Sequence, residues 1–160
     1  MKVTLHPAYD SRDELLSLFT EYTDMLLAEA PAFQAYLDLQ NYEAELRHPE
    51  RKYGPPEGRL YLARCGGAPA GCIALRKLDE ASCEMKRLYV RPSFRGHRIG
   101  SLLIQRLIDD AREIGYRQML LDTLPFLQSA IRLYRQFGFY GIPCYNDSPL
   151  EQTLFLRLDL

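Results

Sequence analysis

The sequence predicts an α/β fold built on a mixed sheet, and three observations carry that prediction. An apolar strand pattern (Met85, Leu88, Val90) runs into a tight turn and then a helix-period pattern of Ile99, Leu103, Leu107, Ala111 and Ile114. A strand-length apolar run, Gln118–Thr123, follows that helix, and the right-handed crossover rule sets it parallel to the strand before the helix. Ahead of both, Arg59–Cys65 and Ala68–Lys77 read as strands joined by Gly66-Gly67, a hairpin signal that makes this part antiparallel.

The chain has 160 residues, enough for a core without staples, and is expected to form one domain over 1–160. A formal net charge of −1 gives no bulk attraction to nucleic acid or an anionic membrane, so neither is an expected partner. The four cysteines, Cys65, Cys72, Cys83 and Cys144, show no C-x-x-C and no metal spacing with His6, His48 or His97. No metal is expected. No basic-then-apolar leader opens the sequence and no apolar run approaches ~18 residues. Free thiols in a reducing cytoplasm are the expectation.

In order, residues 2–6 alternate as a first strand. Asp10 or Ser11 starts a helix, since Ser11-Arg12-Asp13-Glu14 has the capping-box form and Leu15, Phe19, Tyr22 and Leu26 give it one apolar face. Pro31 suits the first turn of a second helix, carrying Phe33, Tyr36, Leu37 and Leu39 and running to Leu46. Its tyrosines read as core-rim residues or as a wall of an acceptor pocket. Residues 49–58 read as a loop, because Tyr53-Gly54-Pro55-Pro56-Glu57-Gly58 is dominated by glycine and proline. That loop is either a connector or a cover for the site.

Residues 78–81 make the next turn, and Pro92 ends the following strand near Arg91 because proline cannot donate to a ladder. The spacing of Met85, Leu88 and Val90 breaks strict alternation and predicts a β-bulge. The long helix stops at Gly115. Leu127, Ala130, Ile131, Tyr134 and Phe137 line a last helix stopped by Gly138, and residues 139–142 and 152–159 finish as strands.

Chemistry concentrates in Arg95-Gly96-His97-Arg98-Ile99-Gly100, between strand and helix. The first amides of a helix lack intrahelical acceptors and sit at the positive end of its dipole. Two glycines and arginines at that point suit a phosphate or diphosphate. An ordinary basic turn is the alternative. Neither G-x-x-x-x-G-K-[ST] nor G-x-G-x-x-G is present, so ATP and NAD are not indicated.

Leu88-Tyr89-Val90-Arg91-Pro92 followed by Arg95-Gly96-His97-Arg98-Ile99-Gly100 resembles motif A, [Q/R]-x-x-G-x-[G/A], of the GNAT superfamily of acetyl-CoA-dependent N-acetyltransferases. Arg95 and Gly100 match its ends, whereas Arg98 replaces its middle glycine. A long side chain there predicts negative φ, with its charge free to reach the CoA phosphates. The resemblance covers nearly the whole chain. It implies the GNAT fold: a central mixed, mostly antiparallel twisted sheet of about six to seven strands with helices on both faces.

The resemblance also implies roles. Acetyl-CoA would be the co-substrate, held by backbone groups of Leu88, Tyr89 and Val90 and by Arg95, Gly96, His97, Arg98, Ile99, Gly100 and Ser101. Ala130-Ile131-Arg132-Leu133-Tyr134 and Gly138-Phe139 are similar to A-x-x-L-Y-x-x-x-G-F, in which the tyrosine protonates the departing thiolate; Tyr134 is thus the candidate acid. Where many members carry Asn, Leu127 stands, leaving Gln128 or Ser129 to replace a contact to the CoA arm. Glu84 stands at the offset of the general base in the histone-acetylating branch, with pairing to Lys86 or Arg76 as its structural alternative.

The expected reaction is direct attack of a primary amine, on a small molecule or a peptide, upon acetyl-CoA. Cys144 is a poor acyl carrier because no histidine accompanies it. The alternatives are a non-catalytic acyl-CoA sensor and a transferase using another acyl-CoA, for which Arg76, Arg87 or Arg91 would supply a cationic pocket. Asp24, Glu29, Asp38 and Glu43 would favour a cationic acceptor if they are more than a solvated face. The last strands could pair across a homodimer.

Overall fold

The computed structural model describes residues 1–160. Strands β1 (Val3–Pro7), β2 (Arg59–Cys65), β3 (Ala68–Lys77), β4 (Ser82–Val90), β5 (Gln118–Thr123), β6 (Tyr140–Gly141) and β7 (Leu154–Asp159) form one sheet. Their order is β1-β2-β3-β4-β5-β7-β6. Every neighbouring pair is antiparallel except β4 and β5, whose parallel pairing follows from the crossover helix α5 (Ile99–Ile114) between them.

Alternation along each strand divides the core between two faces. On β2, Tyr61, Ala63 and Cys65 join the cluster under α5, where Leu103, Ile104 and Leu107 are fully buried. Leu60 and Leu62 join the opposite cluster, packed on Leu15, Leu18 and Phe19 of α1 (Arg12–Glu29). Each such leucine contributes about 2 kcal/mol by leaving water. The last helix, α6 (Gln128–Gln136), sets Ala130 and Leu133 against the α5 side. Helices therefore cover both faces. None is long and apolar enough to cross a membrane.

The bulge lies in β4. Ala74 faces Lys86 while Cys72 faces Tyr89, so Ile73 alone opposes both Arg87 and Leu88. Arg87 takes the left-handed conformation, φ 61°. The extra residue inverts the alternation: Cys83 and Met85 face the α5 cluster before it, Leu88 and Val90 after it. As a result Lys86 and Arg87, adjacent in sequence, both reach the α1 side.

Several expectations need correction. The second helix does not run from Pro31 to Leu46. It breaks at Asn41, φ 56°, into α2 (Phe33–Leu39) and α3 (Tyr42–Arg47), because asparagine tolerates the left-handed conformation that redirects the chain. Residues 49–53, read as loop, form the short helix α4 (Pro49–Tyr53), with Pro49 in its first turn and Tyr53 fully buried. Ser11 makes no side-chain cap bond. Glu14 instead receives two hydrogen bonds from Arg64, at 2.7 and 2.8 Å. Arg98 does not keep negative φ; it adopts 59°, the conformation the missing glycine would supply. The terminal strands are shorter than expected, β6 having two residues and β7 starting at Leu154. Gly115 and Gly138 lie at φ 108° and 102°, where the preceding helices stop as expected.

Candidate functional site

The site begins where two strands part. β4 and β5 pair only through Ser82, Cys83 and Glu84 against Gln118, Met119 and Leu120. The bulge at Arg87 then bends β4. Its edge toward β5 is left without a strand partner from Met85 to Val90, and a groove of about 540 Å³ opens beside it. Nine of the ten residues expected to hold the coenzyme line this groove: Leu88, Tyr89, Val90, Arg95, Gly96, Arg98, Ile99, Gly100 and Ser101. His97 does not.

One end of the groove is lined by backbone donors at the start of α5. The N–H groups of residues 96–101 find no acceptor within the chain, and the first intrahelical bond of α5 runs from Leu102 N–H to Arg98 C=O. Gly96 and Arg98, at φ 89° and 59°, turn the chain so that this run of donors precedes and caps α5. A diphosphate fits such a cradle because it satisfies several orphan donors and meets the helix dipole. Gly100 lets α6 pack close, since a Cβ there would lie 3.1 Å from Leu133 Cδ2 and that side chain would have to shift. Gln128 and Ser129, expected to replace the missing asparagine, also line the groove, as does Leu127.

Tyr134 joins this groove to a second, smaller cavity of about 30 Å³, lining both. Its neighbour in the core is Phe139, with ring centroids 5.8 Å apart. Burial, with Tyr22 and Asp122 adding to it, pushes the Tyr134 phenol well above its ordinary pKa. It therefore keeps its proton until a strong base forms beside it.

The small cavity is polar at its base. Leu26, Phe33, Tyr36 and Gln40 from α1, α2 and the residue after α2 form one wall of it. Lys86, Arg87 and Asp122 come from the sheet. Residues 54–58 line neither space, so they are a connector and not a cover.

Glu84 lies beneath this cavity without lining it. It is 1% exposed, and Arg76 Nε donates to its Oε1 at 2.7 Å while the Tyr145 hydroxyl donates to Oε2 at 2.5 Å. Lys86 Nζ stands 3.9 Å away. Burial works to raise the Glu84 pKa, but Lys86, Arg76 and the Tyr145 bond outweigh it and hold the carboxyl below its usual range. The pairing with Arg76 considered from sequence is thus present.

The adjacent cations converge on one side chain. Lys86 Nζ and Arg87 Nη2 both donate to Gln40 Oε1, at 2.8 and 2.9 Å, and Lys86 Nζ also lies 5.7 Å from the Tyr36 ring centroid. Arg87 makes two further bonds to Glu45, at 2.8 and 3.0 Å. Burial first, and then Arg87, lowers the Lys86 pKa to about 8. Across the cavity Asp122 Oδ2 accepts from the Tyr36 hydroxyl and from Asn146 Nδ2, the latter at 2.7 Å. Tyr145 and Asn146 both belong to the segment between β6 and β7, which ties it to the sheet.

Gln40, Lys86, Asp122, Tyr145 and Asn146 are not among the site residues that the sequence points to. The one signal was Glu84-Met85-Lys86-Arg87, three charges inside a strand that the apolar pattern buries. The arginines considered for a bulkier acyl donor are all paired: Arg76 with Glu84, Arg87 with Glu45, Arg91 with Glu21. Of the acidic residues considered for the acceptor, Glu29 lines the groove, while Asp24, Asp38 and Glu43 line neither space. Cys144 is exposed and its thiol donates to the Asn146 carbonyl at 2.9 Å.

Comparison with known proteins agrees with this geometry. The family model described as Acetyltransferase (GNAT) family matches residues 15–139. An uncharacterized N-acetyltransferase of Schizosaccharomyces pombe is 43% identical over 126 residues, covering 78% of this chain and 77% of its own. An acetyltransferase from Streptococcus agalactiae superposes with a TM-score of 0.78 at 20% identity, over 99% of this chain and 98% of that one. PaiA N-acetyltransferase from Thermoplasma acidophilum, solved in complex with coenzyme A, gives 0.76 at 13% identity over all of both chains.

Proposed function

Because this chain belongs to the GNAT family and is an acetyltransferase, we propose that it transfers the acetyl group of acetyl-CoA to a primary amine by direct attack. The observation that carries this reading is the position of Tyr134. It lines both the groove that ends at the unpartnered amides of residues 96–101 and the cavity on the far side of the β4–β5 opening. A solved relative in fold carries coenzyme A, which supports that ligand for the groove.

In this mechanism the amides of residues 96–101 hold the diphosphate, with Arg95 and Arg98 adding charge. The free edge of β4 from Leu88 to Val90 holds the pantetheine arm and the acyl carbonyl. The acceptor nitrogen forms a bond to the carbonyl carbon, the carbon–sulfur bond breaks, and Tyr134 gives its hydroxyl proton to the departing thiolate. The proton lost by the amine passes to water, from which Tyr134 is restored. Burial raises the Tyr134 phenol above its value in water, so the transfer relies on the negative charge that develops on the sulfur in the same buried site and on a hydrogen bond between the two groups. Positioning two reactants across one opening supplies much of the rate.

Glu84 has a different part in this reading from direct base. Both its oxygens are engaged and it lines neither space. It positions Tyr145 and supplies the countercharge to Arg76 and Lys86. Thiol release from acetyl-CoA against a panel of amines, amino acids and peptides tests the proposal. Release that depends on an acceptor supports it, and no release with any acceptor refutes it.

A further inference from the structure

We infer that the acceptor is an amine that also carries a carboxylate, of the amino-acid type, and that Lys86 and Gln40 hold that carboxylate in the small cavity. This builds on the acetyl-transfer reading above. The partners of one amide fix its orientation. Lys86 and Arg87 can only donate hydrogen bonds, so the Gln40 atom they share must be its oxygen. The other end of the amide, Nε2, is thereby fixed as a donor, and it is buried with no hydrogen-bond partner. Gln40 lines the cavity.

Lys86 is in a similar position. Its side chain is 6% exposed, and of its three N–H groups one is used on Gln40, while its nearest carboxylate is 3.9 Å away. Buried donors without acceptors call for a ligand oxygen. Charge points the same way. Arg76, Lys86, Arg87 and Lys52 meet only Glu84, Glu45 and Asp122 around this cavity, leaving one positive charge without a counterpart. A single carboxylate balances the set.

Size agrees as well. A space of about 30 Å³ takes two water-sized groups, the number of oxygens in one carboxylate. The bulge is the structural cause, because it turns two successive cations onto one face where a regular strand would turn only one. Tyr134 lines the same cavity, so an acceptor anchored there by its carboxylate has its amine beside the groove.

The test compares initial rates for alanine, serine, aspartate and phenylalanine with their amides and their decarboxylated amines, using wild type, Lys86→Met and Gln40→Leu. The expected result is a kcat/KM for the preferred amino acid at least tenfold above its amide and amine. In both variants that advantage should fall to within about threefold, through KM, while CoA affinity holds. Amides or simple amines used as well as amino acids, with thiol release intact, overturn this inference and leave acetyl transfer standing. Calorimetric titration of the N-acetylated amino acids into CoA-saturated protein gives a readout independent of turnover. Binding that Lys86→Met weakens tenfold or more supports the carboxylate site even if no acceptor is acetylated. Absence of binding, or equal binding by the N-acetylated amines, refutes it.

Discussion

Arg87 Nε lies 2.8 Å from Glu45 Oε2 and Arg87 Nη2 3.0 Å from Glu45 Oε1, joining the β4 bulge to α3 through a two-pronged ion pair in which neither side chain exceeds 3% exposure. A buried pair of this kind contributes little over an apolar replacement, but breaking it strands a charge. Glu45→Gln should therefore lower unfolding stability by about 3–5 kcal/mol. Urea denaturation at pH 7 measures it; a loss within error of zero would mean that solvent reaches Arg87.

The same pair sets an acid limit. Burial alone would raise the Glu45 carboxyl, but Arg87 and Lys52 outweigh it and lower its pKa from 4.5 to about 2. Between those values the folded state holds fewer protons than the unfolded chain, so this stabilisation is complete above pH 4.5 and is lost as pH falls toward 2. At about 1.4 kcal/mol per unit the loss is about 3 kcal/mol. The stability of wild type should drop more steeply over that window than that of Glu45→Gln in parallel denaturation curves.

Much of this architecture is legible in the amino acids, and the parts that are not share a cause. The Gly66-Gly67 hairpin, the crossover helix and the bulge follow from local period and turn chemistry, which act over a few residues. The conformation of Arg98 does not follow from its residue type, because steric preference argues against positive φ for a long side chain, whereas the turn into α5 takes φ 59° at that position. The cluster of Gln40, Glu45, Lys86, Asp122 and Tyr145 depends on contacts across 24 to 86 residues of chain. No local pattern encodes those. Only the burial of several charges in one strand hinted at them.

Tyr134→Phe removes the proposed acid with little change in volume. The variant should lose about 10²–10⁴-fold in kcat, the usual range for a positioned proton donor. Coenzyme affinity should stay within twofold, because the hydroxyl makes no bond that orders the groove. Steady-state kinetics alongside calorimetry with CoA separate the two quantities, and an unchanged kcat would remove Tyr134 from the chemistry.

Arg98→Gly should move stability and affinity in opposite directions. A non-glycine residue in the left-handed region costs about 1 kcal/mol, part of which returns as extra freedom of the unfolded chain. Thermal unfolding should rise by about 1–3 °C. If the guanidinium adds charge at the diphosphate, the Kd for CoA should meanwhile weaken about threefold to tenfold, with a smaller effect at high salt. A variant that gains stability and binds CoA as wild type does would limit Arg98 to a backbone role.

Glu84→Gln distinguishes a base from a positioning residue. A direct base would make the variant lose kcat with every acceptor and shift the acidic limb of the pH profile, while Tyr145→Phe would do little. In the arrangement seen here both substitutions act on one contact, the 2.5 Å bond between the Tyr145 hydroxyl and Glu84 Oε2. Glu84→Gln also withdraws the charge that faces Arg76 at 2.7 Å and Lys86 at 3.9 Å. The expected outcome is a raised acceptor KM in both variants, larger in Glu84→Gln, with the acidic limb of kcat where it stands in wild type. The double variant should be less than additive, because the two residues share that bond. A kcat loss of 10²-fold or more confined to Glu84→Gln, with acceptor KM unchanged, would instead make Glu84 the base.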